Sequence, residues 1–84
     1  RDPVARLEAA RAANPRNVAA LRALGVAYYK ANRFADARAV LDQARGLDPR
    51  DGVSALYAGL AAEGQQDFAA AKAAYNDYLR VGRS

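Results

Sequence analysis

Side chains able to do covalent or acid–base chemistry are scarce in this 84-residue chain. It has no His, Cys, Thr, Met or Trp, and outside its five tyrosines the hydroxyls are those of Ser54 and Ser84. A nucleophile needs a base within hydrogen-bond reach, and acid–base work needs two titratable groups held in different environments. The two glutamates, Glu8 and Glu63, fall on different predicted helices with no evident partner. The nitrogen and sulfur ligands of transition-metal sites are missing, and the aspartates do not fall at calcium-loop spacing. The expectation is a non-enzymatic chain with no cofactor, no metal site and no small-molecule substrate.

A formal net charge of +4 raises the question of nucleic acid. Arg6, Arg11, Arg16, Arg22, Arg33, Arg38, Arg45 and Arg50 are scattered over every face of the predicted helices, interleaved with Asp36, Asp42, Asp48 and Asp51. No single-sign stripe of the kind that tracks a phosphate backbone results. The arginines read as solvated surface, and a nucleic-acid partner is not expected.

The remaining signal is repetition. Leu7, Leu41 and Tyr75 are spaced by 34 residues, as are Ala10, Ala44 and Tyr78, and so are the pairs Pro15/Pro49, Gly25/Gly59, Phe34/Phe68 and Ala37/Ala71. A fixed period of this length marks an array of helical hairpins. Leu21, Leu24 and Tyr28 form one apolar stripe, and Phe34, Ala37, Leu41 and Ala44 form another on the following helix, so the two stripes must face each other. Gly inside an apolar helix costs about 1 kcal/mol against Ala, so Gly25 and Gly59 imply a close helix crossing. Asn14–Asn17 and Asp48–Asp51 each give a helix stop followed by an N-cap, while 31–33 and 64–67 are short turns. The pattern predicts helices over 3–13, 18–31, 34–46, 52–64 and 68–81. The fold class is all-α, a helical-hairpin repeat stack of five helices.

The run LGVAYYKANRFADARAVLDQARGLDP, residues 24–49, with Leu21 before it, strongly resembles the tetratricopeptide repeat. Leu24-Gly25, Tyr28, Ala37, Leu41, Ala44 and Pro49 stand where that pattern places its Leu-Gly pair, Tyr, Ala, large apolar residue, Ala and Pro. The next copy keeps Gly59, Phe68, Ala71 and Tyr75 but has Ala58, Ala62 and Tyr78 at the Leu, Tyr and Ala positions. The resemblance divides 1–84, as one domain, into an orphan second helix (4–14), a repeat (18–51) and a divergent or terminal repeat (52–84). The chain opens at Arg1 without Met and ends at Ser84, which reads as a segment of a longer protein or a processed product. No apolar run approaches a membrane span, and the absence of cysteine leaves the compartment open.

The resemblance implies a protein-interaction scaffold whose first helices line a groove. Carried over residue by residue, that groove holds Arg22, Val26, Tyr29 and Lys30 from one repeat and Val53, Leu56, Tyr57 and Leu60 from the next. Family members that clamp a C-terminal carboxylate use Lys, Asn and Arg here. Only Arg22 matches, because Val26 and Tyr57 replace the asparagines, so an apolar or amphipathic segment is the expected ligand. Tyr29 and Leu56 also suit packing between hairpins. Both ends carry second-type helices, and Val4, Leu7, Tyr75, Tyr78 and Leu79 are candidates for end-to-end stacking with other copies. That stacking would give a filament or tube, with Arg38 and Arg45 meeting aspartates of a neighbouring strand.

Overall fold

The computed structural model describes residues 2–83, so Arg1 and Ser84 of the domain assignment lie outside the described residues. Five helices follow one another: α1 (Pro3–Ala13), α2 (Val18–Lys30), α3 (Phe34–Leu47), α4 (Gly52–Gly64) and α5 (Phe68–Arg83). No strand occurs among the described residues. The predicted helices are all present, with end points shifted by no more than two residues. Consecutive helices pack on each other, and α2 also touches α4. The molecule measures 34 × 27 × 16 Å, the thickness of two helices.

Start and stop chemistry is visible at each junction. Asp2, Asn17, Asp51 and Asp67 accept hydrogen bonds from the backbone N–H of Val4, Ala20, Ser54 and Ala70, meeting donors that the first helical turn leaves open. The two tight turns are copies of each other. Asn32 and Gln66, 34 residues apart, both take φ 62°. The following N–H groups reach back, Arg33 to the Tyr28 carbonyl and Asp67 to the Ala62 carbonyl, closing a Schellman motif at each helix end.

Each hairpin closes where a glycine of the first helix lets a bulky side chain of the second lie against the backbone. A Cβ on Gly25 would come within 2.3 Å of Leu41 Cγ, and one on Gly59 within 2.5 Å of the Tyr75 ring. Around the first crossing Leu21, Leu24, Tyr28, Ala37, Val40, Leu41 and Ala44 are buried. In the second hairpin the buried positions of α4 are small, namely Ser54, Ala55, Ala58, Gly59, Ala61 and Ala62. There the bulk comes from α5. Tyr75 stands where α3 has Leu41, which accounts physically for the substitutions that make 52–84 look divergent.

Two glycine substitutions of opposite sign check this packing. Gly25→Ala should lower unfolding free energy by about 1–3 kcal/mol, because Leu41 is fully buried and has little room to yield. Gly46 sits in α3 with open space around it, and a Cβ there would meet nothing within 4 Å. Gly46→Ala should therefore raise stability by about 0.5–1 kcal/mol through helix propensity alone. Urea denaturation of both variants measures the difference, and equal effects would place the crossing elsewhere.

Candidate functional site

The first helices α2 and α4 lie side by side, and two interactions join them. One is aromatic. The Tyr29 and Tyr57 rings meet edge-on with centroids 5.6 Å apart, and Tyr29 also lies 5.6 Å from Phe34 at the start of α3. Tyr29 is thus wedged between its own hairpin and the next, which realises the packing role its position allows. The other is ionic. Arg22 Nε lies 2.9 Å from Asp51 Oδ2, and Asp51 also takes the Ser54 hydroxyl at 2.9 Å and its N–H at 3.2 Å.

Asp51 is buried and caps α4 while holding Arg22. Burial alone would raise the pKa of its carboxyl. The Arg22 guanidinium and the two Ser54 donors outweigh that and hold it below the ordinary 3.8. The basic residue expected at the groove is therefore already paired within the chain, although part of its side chain stays exposed.

The other groove candidates divide into two places. Val26 and Lys30, with Ala23, Ala27 and Ala31, line a cleft of about 490 Å³ that α1 closes with Asp2, Pro3 and Val4. On α4, Leu56 and Leu60 are half-buried and Val53 is exposed. Leu60 is the 34-residue counterpart of Val26, so the apolar positions continue from one first helix to the next. Arg22, Tyr29 and Tyr57 are brought together across the α2–α4 contact, whereas Val26 and Lys30 share the cleft toward α1.

Four charged groups differ from the sequence expectation. Glu8 and Glu63 do have partners: Glu8 accepts the Tyr28 hydroxyl from α2, and Glu63 accepts the Tyr75 hydroxyl at 2.5 Å. Burial, reinforced by Glu63, pushes the Tyr75 hydroxyl up to about 12. Arg38 and Arg45 are not held out for a neighbouring strand. Arg38 binds Asp67 at 3.1 Å and Gln65 at 2.7 Å, and Arg45 binds Asp77 at 2.5 Å, tying α3 to the start and body of α5. These pairs span repeats, and a helix-by-helix reading has no term for them.

At the ends, Val4 is buried against α2 and Leu7 is half-buried, while Tyr78 and Leu79 are exposed. Phe68 is 64% exposed and is not in the expected end-face set. The signal for it exists, since Phe34 and Phe68 are repeat mates. Phe34 packs against Gly64 of the following hairpin, whereas Phe68 meets no following hairpin among the described residues.

The family model for the tetratricopeptide repeat matches residues 4–64, from α1 to the end of α4. No curated protein gives a significant match.

The Arg22–Asp51 pair sets a pH dependence. The folded carboxyl binds its proton more weakly than the unfolded one, so the pair's contribution is complete above about pH 4–5 and is lost as pH falls through the folded value. Arg22→Gln should cost about 0.5–1 kcal/mol at pH 7, the scale of a part-exposed ion pair. The gap between this variant and the parent should narrow below pH 4. A gap independent of pH in denaturation between pH 7 and 2.5 would remove the ion pair from the stability of the α2–α4 contact.

Proposed function

The chain belongs to the tetratricopeptide repeat family, whose repeats are generally non-catalytic protein-interaction scaffolds, and on that premise we propose that its first helices bind an apolar, helical segment of a protein partner. The observation that carries this reading is the run of apolar side chains along equivalent positions of both first helices. Val26 and Leu60 correspond, and Val53, Leu56 and Tyr57 extend the surface along α4. Amphipathic helices are recognised by such grooves through residues spaced i, i+3, i+4 and i+7.

We assign residues 52–84 as a second repeat with 4–14 as the second helix of a preceding one. Support comes from the matching crossings at Gly25 and Gly59 and from the matching turns at Asn32 and Gln66. In this reading Tyr29 and Tyr57 form the stiff floor of the surface, and Leu60, Leu56 and Val53 are its contact residues. Lys30, at the far end of α2, is the cation left to meet an acidic residue of the ligand. Arg22 acts mainly as a positioning residue, through Asp51.

Amphipathic helical peptides selected from a display library against the parent domain test the proposal. Leu60→Ala and Tyr57→Ala should each weaken a selected binder by about 1–2 kcal/mol, the range of an interface anchor. Asp36→Asn and Asp42→Asn, on exposed positions of α3, should leave it within about twofold. Calorimetric titration of the four variants decides. Binders indifferent to both Leu60 and Tyr57 would move the site off these helices.

A further inference from the structure

Two clefts between successive second helices occupy equivalent places in the repeat, and their charges differ. The one between α3 and α5, about 550 Å³, is walled by Asp42, Arg45, Asp77 and Arg80. Arg45 binds Asp42 at 3.2 Å and Asp77 at 2.5 Å, and Asp77 also takes the Arg80 guanidinium, so the four charges cancel within the chain. The one between α1 and α3, about 450 Å³, has Arg11 in the place of Arg45, Gln43 in the place of Asp77 and Gly46 in the place of Arg80. Arg16, from the turn after α1, also lines it, and Pro15 and Leu47 supply its apolar wall.

The replacements leave this second cleft positive and hollow. Arg11 finds only the amide oxygen of Gln43, at 3.3 Å, and neither Arg11 nor Arg16 forms an ion pair among the described residues. The acids near it are committed elsewhere. Glu8, one turn before Arg11 and the repeat mate of Asp42, accepts the Tyr28 hydroxyl and lies 4.0 Å from Arg33. Asp48, just past α3, takes the Arg50 N–H. Room comes from Gly46, where a Cβ would meet nothing within 4 Å, whereas its mate Arg80 extends a long side chain to Asp77. A guanidinium pairs with a carboxylate through a planar fork of donors. The α3–α5 cleft shows such a carboxylate seated on the equivalent arginine.

We propose that the cleft between α1 and α3 docks an acidic segment of a partner protein, which sets carboxylates on Arg11 and Arg16 and an aliphatic side chain against Pro15 and Leu47. Charge complementarity selects this occupant, with the internal Arg45–Asp77 pair as its template. The net charge of +4 adds a long-range attraction for an acidic partner. Every residue lining the cleft belongs to α1, α3 or the turn after α1, so the site draws on nothing before α1 or after α5. It is separate from the surface formed by the first helices, and either can bind without the other.

A capped peptide built of Glu-Glu-Leu triplets and its Gln-Gln-Leu counterpart are the probes, titrated into the ¹⁵N-labelled domain and followed by NMR. The acidic peptide should shift the amides of Arg11, Arg16, Gln43 and Leu47 and the Nε signals of both arginines, at least tenfold more tightly than the neutral one, and added salt should weaken it. Arg11→Gln and Arg16→Gln should each weaken binding about threefold to fivefold. Gln43→Asp, which rebuilds the internal carboxylate of the other cleft, should weaken it at least as much. Lys72→Gln, an equal change of net charge on α5, which does not touch α1, should leave it within about twofold, as should Leu60→Ala on the first-helix surface. All the cleft substitutions fall on exposed or half-buried side chains, and the spectra themselves report whether each variant stays folded. No shifts at millimolar peptide, equal binding of the neutral peptide, or loss on Lys72→Gln equal to that on Arg11→Gln would overturn the proposal. Oligothymidylate or free succinate binding the cleft as tightly as the acidic peptide would assign it to a phosphate backbone or a small dicarboxylate and overturn it too.

Discussion

Everything in this fold depends on how closely the two helices of a hairpin approach at their crossing. At Gly25 the Leu41 side chain occupies the space a Cβ would fill, and at Gly59 the Tyr75 ring does the same. A pair of helices held at that distance buries Leu21, Leu24 and Leu41 completely, although neither helix is long. The same approach sets the direction in which the chain leaves each hairpin, because the turns at Asn32 and Gln66 must complete the reversal in a few residues. Their left-handed backbone follows from that constraint. Loosening the crossing would move α4 relative to α2, and with it the Tyr29–Tyr57 contact.

Between hairpins the link is of a different kind. Specificity is added there by polar pairs on both sides of the stack: Arg22–Asp51 between first helices, Arg38–Asp67 and Arg45–Asp77 between second helices. Two of the acceptors, Asp51 and Asp67, are also N-caps. One carboxylate therefore starts a helix and fixes its neighbour's position, so local structure and inter-repeat geometry share a residue. At the α1 end the equivalent of Arg45–Asp77 is the bond from Arg11 to the uncharged Gln43 at 3.3 Å. The stack is held more weakly at α1 than at α5.

The helices, the crossings and the turns are readable from the sequence because each is fixed by a local rule or by a 34-residue identity. Pro49 and Asp51 mark a stop and a start, and Gly25 with Leu41 marks a close approach, without knowledge of the neighbours. The site is less legible. Val26, Leu60 and Val53 fall where the repeat phase puts them, but the pairing of Arg22 with Asp51 links residues 29 apart in sequence, and no periodicity announces it. Glu8 and Glu63 look unpartnered in the sequence for the same reason, since the tyrosine hydroxyls they accept belong to other helices. Phases predict which face a residue takes; they do not predict which polar groups meet across it.

The two hairpins also differ in where they keep their bulk, and this has a consequence for stability along the stack. In the first, α2 contributes Leu21, Leu24 and Tyr28; in the second, those positions are Ala55, Ala58 and Ala62, and Tyr75 and Tyr78 of α5 compensate. Tyr75 reaches across its hairpin to Glu63 and fills the gap, while Tyr78 lies within ordinary contact distance of Gly52 and stays partly open. Large side chains on α5 give the second hairpin a core in spite of the small residues on α4. In a linear array each unit leans on its neighbours, and the bulk of α5 makes the second hairpin less dependent on them. Phe68, Tyr78 and Leu79 of α5 stay exposed. Among the described helices α1 has no such compensation and buries only Val4, so local opening should begin there and spare the crossings at Gly25 and Gly59.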